Sequence, residues 1–142
     1  MVAAVDELRE LARGIHPSIL TEEGFRPAVA GLARRSAVPV ELDILLPDRL
    51  NAGVEAAAYY IVAEALTNGT RHAGASGATV RIARKVGHLE VEVGDDGVGG
   101  ADLGRGSGIE GIADRLDAMS GILEIDSPRG GGTRLRAVIP CG

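Results

Sequence analysis

Apolar residues recur every three or four positions at the start of the chain, at Val2, Val5, Leu8, Leu11 and Ile15. This spacing predicts an amphipathic helix that ends near Gly14 and Pro17, because glycine and proline both interrupt helices. A second helix is expected over residues 26–37, with Pro27 in its first turn. The mostly apolar run at residues 40–46 then predicts a strand.

A long helix is predicted from Asn51 to about His72. Asn51 can accept a hydrogen bond from a free amide at the helix start, and Glu55 suits the positive end of the helix dipole. Apolar residues form one stripe along this helix, at Val54, Ala58, Ile61, Val62 and Ala65. We expect this stripe to face the core.

Beyond Gly74 the spacing of apolar residues changes from helical to alternating, which is typical of strands. The first two strands are expected to form a hairpin that turns about Gly87 and His88. The predicted elements are strands at residues 78–86 and 89–93, a helix at 109–119, a strand at 122–126, a turn at 127–132 and a strand at 133–139. This order predicts an α+β fold, a two-layer α/β sandwich with a mixed, mostly antiparallel sheet and helices on one face.

The chain has 142 residues, of which 45% are hydrophobic, and we expect one compact domain. Its formal net charge is -5, and it contains one Phe, two Tyr and no Trp. An acidic surface repels phosphate backbones, and few aromatic rings are available to stack on bases. Nucleic acid is therefore not an expected partner.

Cys141 is the only cysteine, which excludes a disulfide framework and fits a reducing, cytoplasmic setting. The N-terminus is charged, and the longest strongly apolar run, residues 56–63, is too short to span a bilayer. We expect no signal peptide and no membrane contact by this segment.

A row of polar side chains is expected on one side of the long helix, near its C-terminal end. Glu64, Asn68 and His72 are spaced four residues apart, and Arg71 is next to that row. The amide oxygen of Asn68 suits Mg²⁺, which proteins usually share with substrate phosphates, and Arg71 and His72 can face those phosphates. The alternative is an exposed helix end whose charges serve solubility.

A segment with eight glycines and an adjacent pair of aspartates follows the predicted hairpin. Asp95 comes at the end of a strand, where its carboxylate can accept a hydrogen bond from an exocyclic amine. Gly97 and Gly99 let a flat ring approach the backbone. Gly106 and Gly108 lead into the next predicted helix, whose free amides favour an anion. A base at one end and phosphates at the other describe a nucleotide site.

This segment has two other interpretations, and the sequence context rejects the second. A glycine-rich loop with aspartates can be an exposed loop without a ligand. The pattern Gly106-x-Gly108-x-x-Gly111 also matches a dinucleotide fingerprint, but no strand runs directly into Gly106, and few residues follow Asp126 to complete a doubly wound sheet. The sequence has no Walker-type phosphate loop, so Mg²⁺ needs another ligand, and Asn68 is the candidate.

Four separated pieces of the sequence resemble one family when they are read in order. They are residues 64–72, 95–99, 106–108 and 130–133. These pieces look like the N box, the two glycine boxes and the closing Gly-Thr element of the ATPase superfamily of gyrase, histidine kinases and related chaperones. The chain is most similar to catalytic domains of bacterial two-component sensor histidine kinases of the nitrate-sensor type. The resemblance implies a Bergerat-type sandwich, with residues 1–24 as a linker helix from a dimerisation domain and residues 25–142 as the ATP-binding catalytic domain.

The resemblance also implies roles at the adenine end of the site. Asp95 is expected to hold the adenine amine, while Gly97 and Gly99 admit the ring. Thr133 is expected to support the same end.

At the phosphate end, the resemblance implies that Asn68 holds Mg²⁺ and that Arg71 and His72 lie near the phosphates. Gly106 and Gly108 are expected to supply amides of a lid over the nucleotide.

The resemblance implies a catalytic domain that binds Mg-ATP and positions the γ-phosphate for transfer to a histidine on the dimerisation helices of its parent kinase. A response regulator is an indirect partner. The phosphoacceptor motif of the family is absent from this sequence, and His16 belongs to the linker pattern. In some relatives an acid at the position of Glu64 activates water, a role that a kinase does not need. Two alternatives keep the fold: a serine kinase of the anti-sigma type and a non-catalytic docking module.

Overall fold

The computed structural model describes residues 24–46, 49–71, 75–97, 109–128 and 130–141, and of residues 68–71 it describes the backbone only. In chain order the elements are α1 (Phe25–Arg35), β1 (Val40–Leu45), α2 (Ala52–Arg71), β2 (Ala78–Lys85), β3 (His88–Asp95), α3 (Ile109–Ala118), β4 (Ile122–Asp126) and β5 (Thr133–Pro140). The helix predicted from Val2 to Ile15 lies outside the described residues. None of the described helices is long and apolar enough to cross a bilayer.

The five described strands form one mixed sheet in the order β1-β2-β3-β5-β4. β1 and β2 are parallel and are connected through α2, whereas the other neighbouring pairs are antiparallel. β5 lies between β3 and β4, so it pairs with a strand that is distant in the sequence. The predicted α+β class and the mixed, mostly antiparallel sheet are confirmed.

The core lies between one face of the sheet and the three helices that the structure describes. α2 packs on β2, β3 and β5, while α1 packs over β1 and α3 packs over β4. The apolar stripe predicted along α2 is buried, at Val54, Ala58, Ile61, Val62 and Ala65. Alternate residues of the central strands face this core, such as Val91 and Val93 in β3. The residues between them project from the opposite face, which we call the open face.

The loop before α2 fixes the start of that helix. The side-chain oxygen of Asn51 accepts a hydrogen bond of 2.8 Å from the Gly53 amide, which confirms the predicted cap. Glu55 is only 2% exposed. It accepts two hydrogen bonds of 3.0 Å from the Arg49 guanidinium and one of 3.1 Å from the Leu50 amide. The sequence pattern predicts Glu55 near the helix dipole but does not identify Arg49 as its partner.

The β2–β3 hairpin turns earlier than predicted. Its turn consists of Val86 and Gly87, and His88 is already the first residue of β3, opposite Lys85. Gly87 has a φ of 79°, a left-handed conformation that glycine adopts without strain. β3 also continues beyond the predicted end of the strand to Asp95. The sheet ladder therefore holds the backbone of Asp95 directly.

The open face carries side chains that pair with one another, across neighbouring strands in four cases and within β3 for His88 and Glu90. The pairs are Arg81 with Asp43 at 3.8 Å, Arg134 with Glu92 at 3.6 Å, Arg136 with Glu90 at 2.9 Å, Arg136 with Glu124 at 2.5 Å and His88 with Glu90 at 3.1 Å. Opposite charges on adjacent strands stabilise the sheet modestly. They also balance one another on a face that none of the described helices covers.

Candidate functional site

Asp95 is the last residue of β3, and its side chain lies on the helix side of the sheet. Every second side chain of a strand lies on the same face, so Asp95 shares the face of the buried Val91 and Val93, and it is half-buried. Its Oδ1 accepts a hydrogen bond of 2.9 Å from the Gly97 amide. Within the part of the chain that the structure describes, no donor bonds to its Oδ2. One carboxylate oxygen is therefore fixed by the backbone, and the other is available to an amine.

Thr133 lies directly opposite Asp95 where β5 pairs with β3. It is 8% exposed, and its hydroxyl oxygen lies 2.6 Å from the hydroxyl oxygen of Ser127. The sheet thus brings together two predicted site residues that are far apart in the sequence. The sequence predicts residues 127–132 only as a turn, so Ser127 is a site neighbour that sequence reasoning misses.

Gly132 allows the turn before β5 to approach the backbone of Asp95. Its φ is 78°, in the left-handed region. A Cβ atom at this position would overlap the Asp95 carbonyl oxygen and lie 3.3 Å from the carbonyl carbon. Any other residue therefore has to displace the end of β3. The run of three glycines at residues 130–132 is the sequence signal for this close approach.

The Asp96 carboxylate joins the end of β3 to the residues that precede β2. Its Oδ1 accepts hydrogen bonds from the Ser76 amide at 2.7 Å and the Gly77 amide at 3.1 Å, and its Oδ2 accepts one from the Ser76 hydroxyl at 2.5 Å. These bonds, first that from the Ser76 hydroxyl, hold the pKa of Asp96 below its ordinary value. We call this arrangement of Asp96, Ser76 and Gly77 the Asp96 bridge. No role is predicted for Asp96 from the sequence.

The C-terminal half of α2 carries the residues predicted for the phosphate end. The helix continues through Arg71, which keeps Glu64 and Asn68 one turn apart on the same side. Glu64 is half-buried. The predicted positions outside the described residues are the side chains of Asn68 and Arg71 together with His72, Gly99, Gly106 and Gly108. The roles of these residues stay predictions.

α3 begins at Ile109, as predicted, and packs against α2 through Tyr60. The guanidinium carbon of Arg115 lies 4.3 Å from the centre of the Tyr60 ring. A Cβ atom at Gly111, in the first turn of α3, would overlap the Tyr60 hydroxyl. Burial raises the pKa of Tyr60, and the negative charge of Glu64 raises it further. The helix after the glycine-rich segment is thus anchored to α2 one turn before Glu64.

A cavity of about 580 Å³ adjoins Asp95 and Thr133 but belongs to the open face. Its lining also includes Glu41, Thr79 and Arg134, which are exposed and project away from the core. A ligand of the Asp95 carboxylate has to lie on the helix side of the sheet. We therefore do not assign this cavity to the predicted nucleotide site.

Comparison with known families decides among the interpretations that the sequence leaves open. A family model described as histidine kinase-, DNA gyrase B-, and HSP90-like ATPase matches residues 53–142. The chain belongs to this ATPase family. The matched region runs from α2 through β5 and includes Asp95 and Thr133, the two predicted site residues that the sheet places side by side.

Curated relatives of this ATPase chain are sensor histidine kinases. The sensor histidine kinase NarS from Mycobacterium tuberculosis is 36% identical over 140 residues, which cover 90% of this chain and 32% of the relative. The sensor histidine kinase LiaS from Bacillus subtilis is 30% identical over 143 residues, which cover 96% of this chain and 40% of the relative. The chain thus spans 32% to 40% of the length of these relatives.

Solved structures share the fold of the ATPase chain at lower identity. The histidine kinase domain of a blue-light activated histidine kinase from Erythrobacter litoralis has a TM-score of 0.64 at 22% identity, covering 81% of this chain and 57% of that chain. The ATP binding domain of PrrB from Mycobacterium tuberculosis has a TM-score of 0.60 at 19% identity, and the match covers 83% of this chain and 91% of that domain. The predicted sandwich and the predicted resemblance to sensor histidine kinases are confirmed.

Proposed function

We propose that this ATPase-family chain is the catalytic part of a sensor histidine kinase, which binds Mg-ATP and positions the γ-phosphate for transfer to a histidine of a partner domain. One observation carries the proposal. Asp95 presents a carboxylate oxygen with no donor among the described residues, on the helix side of the sheet and beside the buried Thr133. The family match over residues 53–142 supports a nucleotide as the ligand at this place.

The adenine end of the proposed site discriminates between bases by hydrogen bonding. The exocyclic amine of adenine donates to Oδ2 of Asp95, because Oδ1 is already bonded to the Gly97 amide. Gly97 and Gly99 leave space for the ring, and Thr133 supports the same end. Guanine presents a carbonyl oxygen in place of the amine, and two acceptors then face each other without a proton between them.

At the phosphate end we assign Mg²⁺ to Asn68 and the phosphates to Arg71, His72 and the lid amides of Gly106 and Gly108. The helical register of α2 supports this assignment, since it places Asn68 near the C-terminal end, one turn after Glu64. Bound Mg²⁺ supplies charge neutralisation for the phosphates. The contribution of the chain is then mainly to position the nucleotide.

The proposed transfer needs an acceptor histidine from a partner. A ring nitrogen of that histidine bonds to the γ-phosphorus, the bond to the bridging oxygen of ADP breaks, and the ring proton leaves to solvent. A neutral imidazole nitrogen is itself a nucleophile, so Glu64 is not needed to activate water. Residues 1–24 are proposed to lead to the dimerisation helices and residues 25–142 to form the catalytic domain, in the cytoplasm, with a response regulator receiving the phosphoryl group afterwards.

Replacing Asp95 tests this function. Asp95→Ala removes a charged hydrogen bond worth about 1.5 to 3 kcal/mol, so we expect Mg-ATP to bind about ten- to a hundredfold more weakly. Calorimetric titrations with ATP and GTP measure the change. Asp43→Ala, which removes an exposed carboxylate on the open face, is the matched control. Unchanged ATP affinity in Asp95→Ala, or equal affinities for ATP and GTP in the unaltered chain, would contradict the proposal.

A further inference from the structure

We infer that Asp96 is a positioning residue for base selection, because the Asp96 bridge fixes the direction in which Asp95 presents its carboxylate to the base. This inference rests on the proposed function and deepens it. Asp96 itself is exposed and acts through its neighbour.

The sheet ladder reaches Asp95 and ends there. On one side Asp95 is opposite Thr133 in β5, where Gly132 packs against its carbonyl group. On the other side it is opposite Ala78, the first residue of β2. Ladder pairing ends at Asp95, and Gly132 limits the Asp95–Asp96 peptide on one side only, so bonds outside the ladder must complete its orientation.

The Asp96 bridge supplies that restraint. Its carboxylate accepts three hydrogen bonds of 2.7, 3.1 and 2.5 Å from Ser76 and Gly77, which lie just before β2. The Asp96 amide also donates to the Gly77 carbonyl at 3.4 Å. Bonds from two backbone amides and one hydroxyl to both oxygens of a carboxylate define its plane as well as its position. Rotation of the Asp95–Asp96 peptide would break them.

The orientation of this peptide determines which oxygen of Asp95 is available. The chain bends at Gly97, and this turn places the Gly97 amide 2.9 Å from Oδ1 of Asp95. The Asp96 bridge fixes the start of that turn, and the Gly97 bond then fixes the Asp95 side chain. Oδ2 is left in one defined direction. The same bonds hold the pKa of Asp96 below its ordinary value, so the ionised carboxylate that accepts all three of them persists to a lower pH than in an unbonded aspartate.

The test compares ATP and GTP binding in variants of the Asp96 bridge, using the whole chain with Mg²⁺ and competition against a fluorescent ATP analogue. Asp96→Ala is expected to weaken ATP about three- to tenfold with little change for GTP, so that the preference for ATP falls by a similar factor. Asp96→Asn is expected to restore the preference, because its amide oxygen accepts the two backbone bonds and its amide nitrogen donates to the Ser76 hydroxyl. Ser76→Ala, which removes one bond of three, should lie between them.

A parallel urea unfolding series separates positioning from stability alone. If the bridge only stabilises the fold, Asp96→Ala lowers the urea midpoint while the folded protein keeps the ATP preference of the unaltered chain, and the inference is overturned. Should Asp96→Ala fail to fold, a full ATP preference in folded Ser76→Ala would overturn it equally. Asp95→Ala separates failure of this inference from failure of the proposed function. Weaker ATP binding in Asp95→Ala supports the proposed function even if the Asp96 variants keep the full ATP preference.

Discussion

Glu55 carries a carboxylate that is 2% exposed, at the start of the helix that also carries the predicted phosphate-side residues. Arg49 and the Leu50 amide satisfy this carboxylate, and Arg49 itself remains 60% exposed in its side chain. The guanidinium can return to water when its partner is removed, whereas the carboxylate cannot. Removal of Arg49 therefore leaves a buried charge without a partner, whereas removal of Glu55 leaves only an exposed one.

Glu55→Ala is expected to destabilise the fold by about 2 kcal/mol, because it removes charged hydrogen bonds that hold the loop to α2. Arg49→Ala is expected to destabilise it as well, since it leaves the buried carboxylate without its counter-charge. The double variant should cost less than the sum of the single variants, which urea unfolding measures. Strictly additive effects would show that the pair is not coupled.

Individual site residues differ in how far the sequence reveals them. Asp95 is identifiable because an acid directly after an alternating strand and before glycines has few structural roles. The partners of Asp96 are not, because Ser76 lies 20 positions earlier and meets it only through the β2–β3 register. Ser127 is missed for the same reason, since its contact with Thr133 depends on how the turn before β5 closes.

At the scale of the elements, the contact between α2 and α3 fixes the position in space at which the glycine-rich segment joins α3. Gly111 of α3 lies where a side chain would meet the Tyr60 hydroxyl of α2. Arg115 covers the face of the same ring. Since α3 follows the predicted lid directly, this contact sets the position of one end of the lid relative to α2.

Gly111→Ala is expected to destabilise the fold by about 1 kcal/mol, because overpacking outweighs the gain in helix propensity. Tyr60→Phe removes the hydroxyl that the new methyl group would meet. The double variant is therefore expected to recover most of the loss, which thermal unfolding of all four proteins measures. A double variant as unstable as Gly111→Ala alone would show that the clash lies elsewhere.

Helices and strands were more predictable than the joints between them. The stripe along α2 and the alternation in β2 and β3 identify those elements, because burial of one face imposes a period on the sequence. The hairpin about Gly87 is confirmed, but its turn lies one residue earlier than predicted, because Gly87 and His88 both suit a turn and only the pairing of His88 with Lys85 shows where β3 begins. The pairing between β2 and β3 that starts there extends to Asp95, opposite Ala78.

For the whole molecule, carboxylates with lowered pKa values make the stability of the fold depend on pH. Hydrogen bonds with His88 and then from Arg136 hold the pKa of Glu90 below its ordinary value on the open face. A carboxylate with a lower pKa in the folded chain stabilises the fold above its unfolded pKa of about 4.3, and this contribution is lost as the pH falls through the folded value. The lowered pKa of Asp96 also contributes stability that is lost as the pH falls.

We expect the urea midpoint to fall as the pH is lowered from 7 to about 3, and to fall less in Glu90→Gln than in the unaltered chain. Glu41→Gln, which changes an exposed acid on the same face outside the described ion pairs, is the matched control and should follow the unaltered chain. Parallel curves for the Glu90→Gln and unaltered proteins would exclude Glu90 as a source of the acid sensitivity.

The interior position of β5 has a consequence during protein synthesis. Asp95 emerges from the ribosome well before Thr133, yet the two become neighbours only when β5 enters between β3 and β4. Until then the edge of β3 that pairs with β5 is unpaired, and Thr133 is not in place beside Asp95. The nascent chain therefore cannot form the adenine end of the proposed site until almost all of the described residues have been translated.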